Sequence, residues 1–567
     1  MRILLPMMLA FTATLPLAPA LAAGSPPAHT VEKGIVSSAN GLASEAGQET
    51  LRAGGSAADA AMAMMLVLTV VEPQSSGIGG GGFLLYHDGR SGKLSTIDGR
   101  ETAPATAQSD RFMGPDGKPL AFMAAMPGGK SVGVPGNIAL MAMTHDKWGK
   151  LPWKRLFAPA IRVAEQGYQV TPILRQRLDM MAKIWVDFPE AQAIYWRDGQ
   201  PLPVGATVRN PALGTFLRTL AKKGPKAFYA GDNAKAIINA TATAKRNPAP
   251  ITLRDIAGYK AKERPPVCVT YRAFKLCGMG PPSSGATTVF GILGMLEQFP
   301  NPDLGKDSPT SWHLISEAMR LAYADRDLYL GDADFVSVPV KGLLDPTYLA
   351  QRAALISQDT ARNDYPAGNP PGSEPRTAAL APDVPGTTHF VAADKWGNVA
   401  SMTSTVEGPF GSQLIVNGYF LNNELTDFTF APELNGKPVA NRVEPGKRPL
   451  SAMSPTIVYD PQGKVVLAVG SAGGKRIIMH VLKTLVGVID WKLPVNDAIA
   501  LPNIFMAGDA VQIESGTELA TRQGELARKG RMVLISPLDS KLNAIEYHQS
   551  HWRGAADPRS EGKALKE

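Results

Sequence analysis

Cysteine occurs only twice in the 567 residues, at Cys268 and Cys277. A thiolate metal centre needs more ligands close together than that, and none gather near these two, so no metal site is expected there. Charge of one sign is not concentrated either. Lys and Arg total 58 against 50 Asp and Glu, a formal +8 spread along the chain. No dense basic run with interleaved aromatics occurs, which argues against a nucleic-acid partner. Beyond the first residues, long apolar runs are missing too. The next most apolar stretch, residues 60–71, is far shorter than the roughly 20 residues a membrane helix needs, and it reads as a buried helix. No internal repeat is present. With 44% hydrophobic and 19% charged residues, the chain is too apolar for disorder and suits one large globular unit or two intimate halves.

The amino-terminal residues read as a signal peptide over 1–22. Arg2 supplies the positive start, an apolar stretch follows, and Ala20-Leu21-Ala22 ends it as a small-x-small cleavage site. Export to the periplasm or beyond is therefore expected, with no membrane association after removal. The two cysteines flank Tyr271-Arg272-Ala273-Phe274, a turn between short strands, and an oxidising compartment allows a disulfide to staple that hairpin.

A helix is expected over residues 43–52. Ser56 caps a second, with Asp59 three residues on as in a capping box, ending near Glu72-Pro73. A glycine run from Gly77 to Gly82 leads into strands at 83–87 and 94–98. It opens no helix, as a dinucleotide fingerprint would. Residues 135–359 are mostly helical. Prolines and glycines crowd residues 361–386, the composition of an exposed, mobile connection. Strands then take over: 387–395 with 399–407, and 455–460 with 464–470, followed by a helix over 475–490. Strand pairs followed by helices make an α+β protein.

The first of these hairpins carries chemistry. Lys395-Trp396-Gly397 fits a three-residue loop with glycine at the position of positive φ. Antiparallel partners then place Thr387 opposite Thr405. Gly386 lacks a Cβ, so the Thr387 hydroxyl can reach its carbonyl. Attack there gives an ester, and hydrolysis of the ester frees a new α-amine. With an unperturbed pKa of about 7.7–8.0, that amine can activate the threonine's own hydroxyl. A Gly-Thr-Thr alone is weak evidence, for Ala286-Thr287-Thr288 is a similar doublet with no such role.

The string GTTHFVAADKWGNVASMTSTVEGPFGS (Gly386 to Ser412) resembles the start of the small subunit of γ-glutamyltransferases. The likeness continues in GIGGGGF (Gly77 to Phe83), DGRETAPA (Asp98 to Ala105), PPSSG (Pro281 to Gly285) and AYADRDLYLGD (Ala322 to Asp332). It runs on through NNELTDF (Asn422 to Phe428), KRPLSAMSPT (Lys447 to Thr456), GSAGGKRI (Gly470 to Ile477) and DPRS (Asp557 to Ser560). The resemblance implies a four-layer αββα sandwich of the N-terminal-nucleophile type, cut into a large subunit (23–386) and a small subunit (387–567) that stay associated.

It further implies Thr387 as nucleophile and new amino terminus, Thr405 as the threonine that steadies it, and the Gly473-Gly474 pair as an oxyanion hole. The spacing around that pair fails the pattern of a phosphate loop. Arg100 matches the residue for the substrate carboxylate, Glu424 and Asp427 those for its ammonium group, and Ser451 the first of two serines that assist. Three departures stand out: Glu407 where asparagine is common, Ala452 in place of the second serine, and no tyrosine or tryptophan between Asp427 and Ser451 to form an aromatic lid. The implied partners are γ-glutamyl compounds such as glutathione, with water, amino acids or peptides as acceptors, and the implied reaction requires no metal or organic cofactor. Two other readings are a related glutaryl or cephalosporin acylase and an exported binding protein that lost its chemistry.

Overall fold

The computed structural model describes residues 33–377, 386–507 and 509–567. The signal-peptide reading falls on residues outside that set. So does part of the proline-rich connection, whose residues 361–377 run as coil held by bonds such as Ala361 N to Lys529 O (2.7 Å) and Gly368 N to Asp325 Oδ1 (2.7 Å). No helix among the described residues is long and apolar enough to cross a membrane.

Two antiparallel sheets organise the α+β fold. The seven-stranded sheet runs Lys563–Lys566, Ile35–Ser38, Thr388–Ala393, Val399–Thr405, Gly81–His87, Leu94–Asp98, Lys262–Arg264. The six-stranded sheet runs His551–Ala556, Asn543–His548, Val465–Gly470, Thr456–Tyr459, Phe274–Gly278, Val267–Tyr271. Side chains alternate across the first sheet, as a period of two requires. Leu84, Tyr86, Phe390 and Ala392 pack in one apolar cluster with the helix Ala57–Val71. Phe83, Leu85, Val391 and Ala393 join the other cluster, with the second sheet and the helices Gly285–Leu296 and Arg476–Ile489.

Local chemistry explains the ends of these elements. All 15 residues of Ala57–Val71 are buried, and Ser56 and Asp59 close a reciprocal capping box at its start. Cys268 and Cys277 face each other across the hairpin of Val267–Tyr271 and Phe274–Gly278 and form a disulfide. The glycine run exists for close approach. A Cβ on Gly80 would lie 1.9 Å from the Thr405 carbonyl oxygen, and one on Gly79 would lie 2.1 Å from that of Phe420. The loop entering Gly81–His87 thus crosses the backbone at the end of the Thr405 strand, where no side chain fits.

Candidate active site

The central hairpin has the register its loop demands. Thr388 pairs with Ser404 and Ala393 with Val399, and Gly397 takes φ 79° in the turn. One step beyond the ladder, the Thr387 hydroxyl donates to Thr405 Oγ1 at 3.1 Å. Thr405 Oγ1 also accepts from Glu407 N at 2.7 Å. Thr387 itself sits at φ 82° and Glu407 at 76°. For a β-branched residue such a φ is strained, and strain of this kind persists only where the surroundings enforce it. Here they do. The Ser75 carbonyl accepts both Thr387 N (3.0 Å) and Val406 N (3.2 Å), clamping the two strand ends together. Gly386 is forced as well, since a Cβ there would lie 1.5 Å from the Glu407 carbonyl oxygen.

Gly473 (φ 129°) and Gly474 (φ 61°) adopt backbone conformations that suit glycine, just ahead of the helix Arg476–Ile489. Their carbonyls accept Arg476 N (3.2 Å) and Ile477 N (3.1 Å). Among the described residues their own N–H groups meet no acceptor, which leaves two donors at a helix N-terminus for an oxygen bearing negative charge.

Arg100, 1% exposed, follows the strand Leu94–Asp98. Its guanidinium donates to Pro449 O (3.2 Å), Leu450 O (2.9 Å), Asp427 Oδ2 (2.5 Å) and Glu424 Oε1. Four of the five N–H donors of an arginine are thereby engaged. Asp427 is the accessible partner, its side chain 25% exposed, whereas Glu424 is sealed. Glu407 accepts from Asn423 Nδ2. The first cavity brings together Thr387, Thr405, Gly474, Arg100, Glu407, Glu424, Asp427 and Ser451 from positions scattered through the chain. Gly473 turns to a second cavity.

Several functional neighbours escaped the sequence reading although they lie in the strings quoted above. Asp98 fixes the Arg100 loop, accepting from Arg100 N (2.8 Å), Arg264 Nε (2.6 Å) and Arg448 Nη1 (2.6 Å). Arg326, with Nε on Ser284 Oγ at 2.9 Å, and Lys475 also line the first cavity. Ser451 is placed by its N–H on Pro282 O (3.0 Å), and its own carbonyl holds Ser284. Phe428 and Phe430 pack inward with Phe112 and Val443, so neither covers the cavity.

Glu101 is the other missed residue. It is fully buried, and desolvation raises its carboxyl to about 7 against the pull of Arg100. Desolvation also lifts Glu424 well above the ordinary glutamate range. The unfolded chain releases the Glu101 proton near 4.5 and the folded chain near 7, so this group withdraws stability as pH rises between those values. Glu101→Gln is expected to shrink the fall in Tm between pH 5 and pH 8, as read by thermal denaturation. An unaltered fall would remove Glu101 as its source.

Comparison with known proteins agrees with this geometry. Residues 43–566 match the family described as Gamma-glutamyltranspeptidase. The chain is 36% identical over 546 residues to a glutathione hydrolase proenzyme of Bacillus subtilis (strain 168), covering 94% of this chain and 91% of that one. Its fold superimposes on cephalosporin acylase from Bacillus halodurans with a TM-score of 0.83 and 25% identity, covering 97% of this chain and 99% of that one. It also matches the Helicobacter pylori γ-glutamyltranspeptidase with a TM-score of 0.55 and 32% identity, over 62% of this chain and 95% of that one. Fold and hairpin together define an α+β hydrolase of the N-terminal-nucleophile type. Within that class, the chain belongs to the γ-glutamyltranspeptidase family.

Proposed function

We propose that this is an exported, self-processing γ-glutamyltransferase and glutathione hydrolase, cut between Gly386 and Thr387 into chains 23–386 and 387–567 that remain together in an αββα sandwich. One observation carries the reading: the strained Thr387, hydroxyl-paired with Thr405, shares a cavity with Arg100 and the carboxylates Glu407, Glu424 and Asp427. The freed Thr387 α-amine takes the hydroxyl proton as the oxygen attacks the γ-carbonyl of the donor. The Gly473 and Gly474 N–H groups receive the developing oxyanion, an effect worth about 2.7–4 kcal/mol for one such donor. The α-amine then protonates the leaving amine, and water or a second amine resolves the γ-glutamyl ester.

Recognition of the amino-acid head involves an exchange of partners. Arg100 has one unengaged N–H, so a substrate carboxylate binds as a fork when Asp427, the accessible partner, turns to the substrate ammonium. The likeness to cephalosporin acylase favours a second reading, hydrolysis of glutaryl-type amides. Such acyl groups lack the ammonium, so the acidic cluster of Glu407, Glu424 and Asp427 would gain no cation from the substrate. Glutathione-like donors are therefore expected to be preferred. A γ-glutamyl anilide should exceed the glutaryl anilide in kcat/KM by about tenfold or more, the value of one charge-assisted contact. A glutaryl preference would transfer the assignment to the acylase reading.

A further inference from the structure

His480 is a buried imidazole that the proposed reaction leaves unused, and it lies directly behind the Gly473-Gly474 pair. It stands just over one turn into the helix Arg476–Ile489 and is 2% exposed. Its Nδ1 lies 3.2 Å from Ala472 O and 3.0 Å from Ser471 Oγ, and the Ser471 hydroxyl donates to Ala472 O at 3.2 Å. The ring also packs under Gly473, where an added Cβ would meet its Cε1 at 3.2 Å. One side chain thus supports both residues of the Ala472–Gly473 peptide.

The chemistry of these groups fixes the ring proton. A carbonyl oxygen only accepts, so the contact with Ala472 O requires the proton on Nδ1. Burial first, then the charges of Lys483, Arg476 and Arg559, push His480 well below the ordinary histidine range, so the imidazole is neutral and has one N–H to give. Ala472 O and Gly473 N–H belong to one planar trans peptide and point in opposite directions. A donor on the oxygen therefore fixes where the N–H aims. It also polarises the amide, which strengthens that N–H as a donor by roughly 10–30%. The Gly473 N–H meets no acceptor among the described residues, so this strength is available to a substrate.

We propose that His480 is a positioning residue for the oxyanion hole, holding the Ala472 carbonyl through Nδ1–H so that the Gly473 N–H is aimed at the developing oxyanion. This rests on the γ-glutamyl-transfer reading and adds what holds one of its two donors. The imidazole touches no substrate and exchanges no proton during turnover; its effect passes through a single peptide group. One oxyanion donor is worth about 10²–10³ in kcat. Losing 10–30% of that effect on a logarithmic scale lowers the rate roughly two- to eightfold, before any loss of aim is added.

The test uses the different reach of two amides. Asparagine places Nδ2 where histidine has Nδ1, whereas glutamine carries its amide further out, towards the place of Nε2. Wild type, His480→Asn, His480→Gln and His480→Leu are mixed rapidly with a γ-glutamyl anilide, with cut enzyme counted by intact mass. The time course of aniline release separates the acylation rate constant from the donor dissociation constant. His480→Gln and His480→Leu are expected to lower the acylation rate constant by about fivefold or more, with the dissociation constant held within about twofold. His480→Asn should stay within about twofold of wild type in both. A histidine that merely supports the fold would lower Tm in these variants and leave the acylation rate of the cut, folded enzyme unchanged. That result, or an asparagine variant as slow as the glutamine one, overturns the proposal. A second measurement needs no His480 variant to fold. In uncut Thr387→Ala labelled with nitrogen-15 histidine, nuclear magnetic resonance should find the His480 proton on Nδ1, and a proton on Nε2 instead overturns the proposal. A wild type that releases no aniline from the γ-glutamyl anilide overturns the transfer reading instead.

Discussion

Thr387→Ala is expected to yield a single uncut chain, while the wild type separates into two fragments, the smaller beginning Thr387-Thr388-His389. The physical reason is that, in the proposed mechanism, one oxygen serves both reactions. The Thr387 hydroxyl is aligned by Thr405 at 3.1 Å and by the Ser75 clamp on its N–H at 3.0 Å. Alanine removes the oxygen and leaves the clamp, so the fold should survive while both cutting and turnover stop. Loss of a nucleophile that works as part of a unit lowers turnover by roughly 10⁴-fold or more. Gly386→Ala provides an independent check. It keeps the hydroxyl but drives a Cβ into the Glu407 carbonyl oxygen, 1.5 Å away in the present geometry, and so displaces the bond to be cut. Intact mass and amino-terminal sequencing read both outcomes. An uncut wild type after long incubation would sink self-processing at this bond, and fragments from Thr387→Ala would assign the cut to another group.

Arg100→Lys should have the next largest effect, although it keeps the charge. Lysine offers three donors on one nitrogen and cannot span the two carbonyls and two carboxylates that the guanidinium now bridges. Losing two charge-assisted bonds at about 1.5–3 kcal/mol each lowers kcat/KM for a γ-glutamyl anilide by roughly 10²–10⁴-fold. Cutting at Gly386 should persist, because none of the Arg100 contacts involves Gly386, Thr387 or Thr405. Fragment analysis of the same preparation therefore separates a binding defect from a collapsed fold. A fall of less than about tenfold would mean that the substrate head does not depend on this guanidinium.

Much of the site was legible because its ordering is local. A three-residue loop with Gly397 at positive φ sets the register of the strands it joins, and that register alone put Thr405 beside Thr387. The capping box at Ser56 and Asp59, and the cysteine pair across a short turn, are likewise decided within a few residues. The matched strings pointed to Arg100, Glu424 and Asp427, but not to what they do to one another. Nothing local reveals that 324 positions separate Arg100 from a carboxylate it touches. Nor does it reveal that Glu101, beside Arg100 in the chain, is buried with Glu424 and pushed to about 7.

The sequence by itself determined the strand register around Thr387, the need for a small residue at Gly386 and the family to which the chain belongs. Each follows from turn geometry, side-chain period or an ordered set of short strings. Only the tertiary structure decided the strain at Thr387, the Ser75 clamp and the near-saturation of Arg100. These arise where loops from distant parts of the chain meet at the ends of the strands. Burial there sets both the proton affinity of a carboxylate and the partners of a guanidinium, and burial is a property of packing rather than of any short segment.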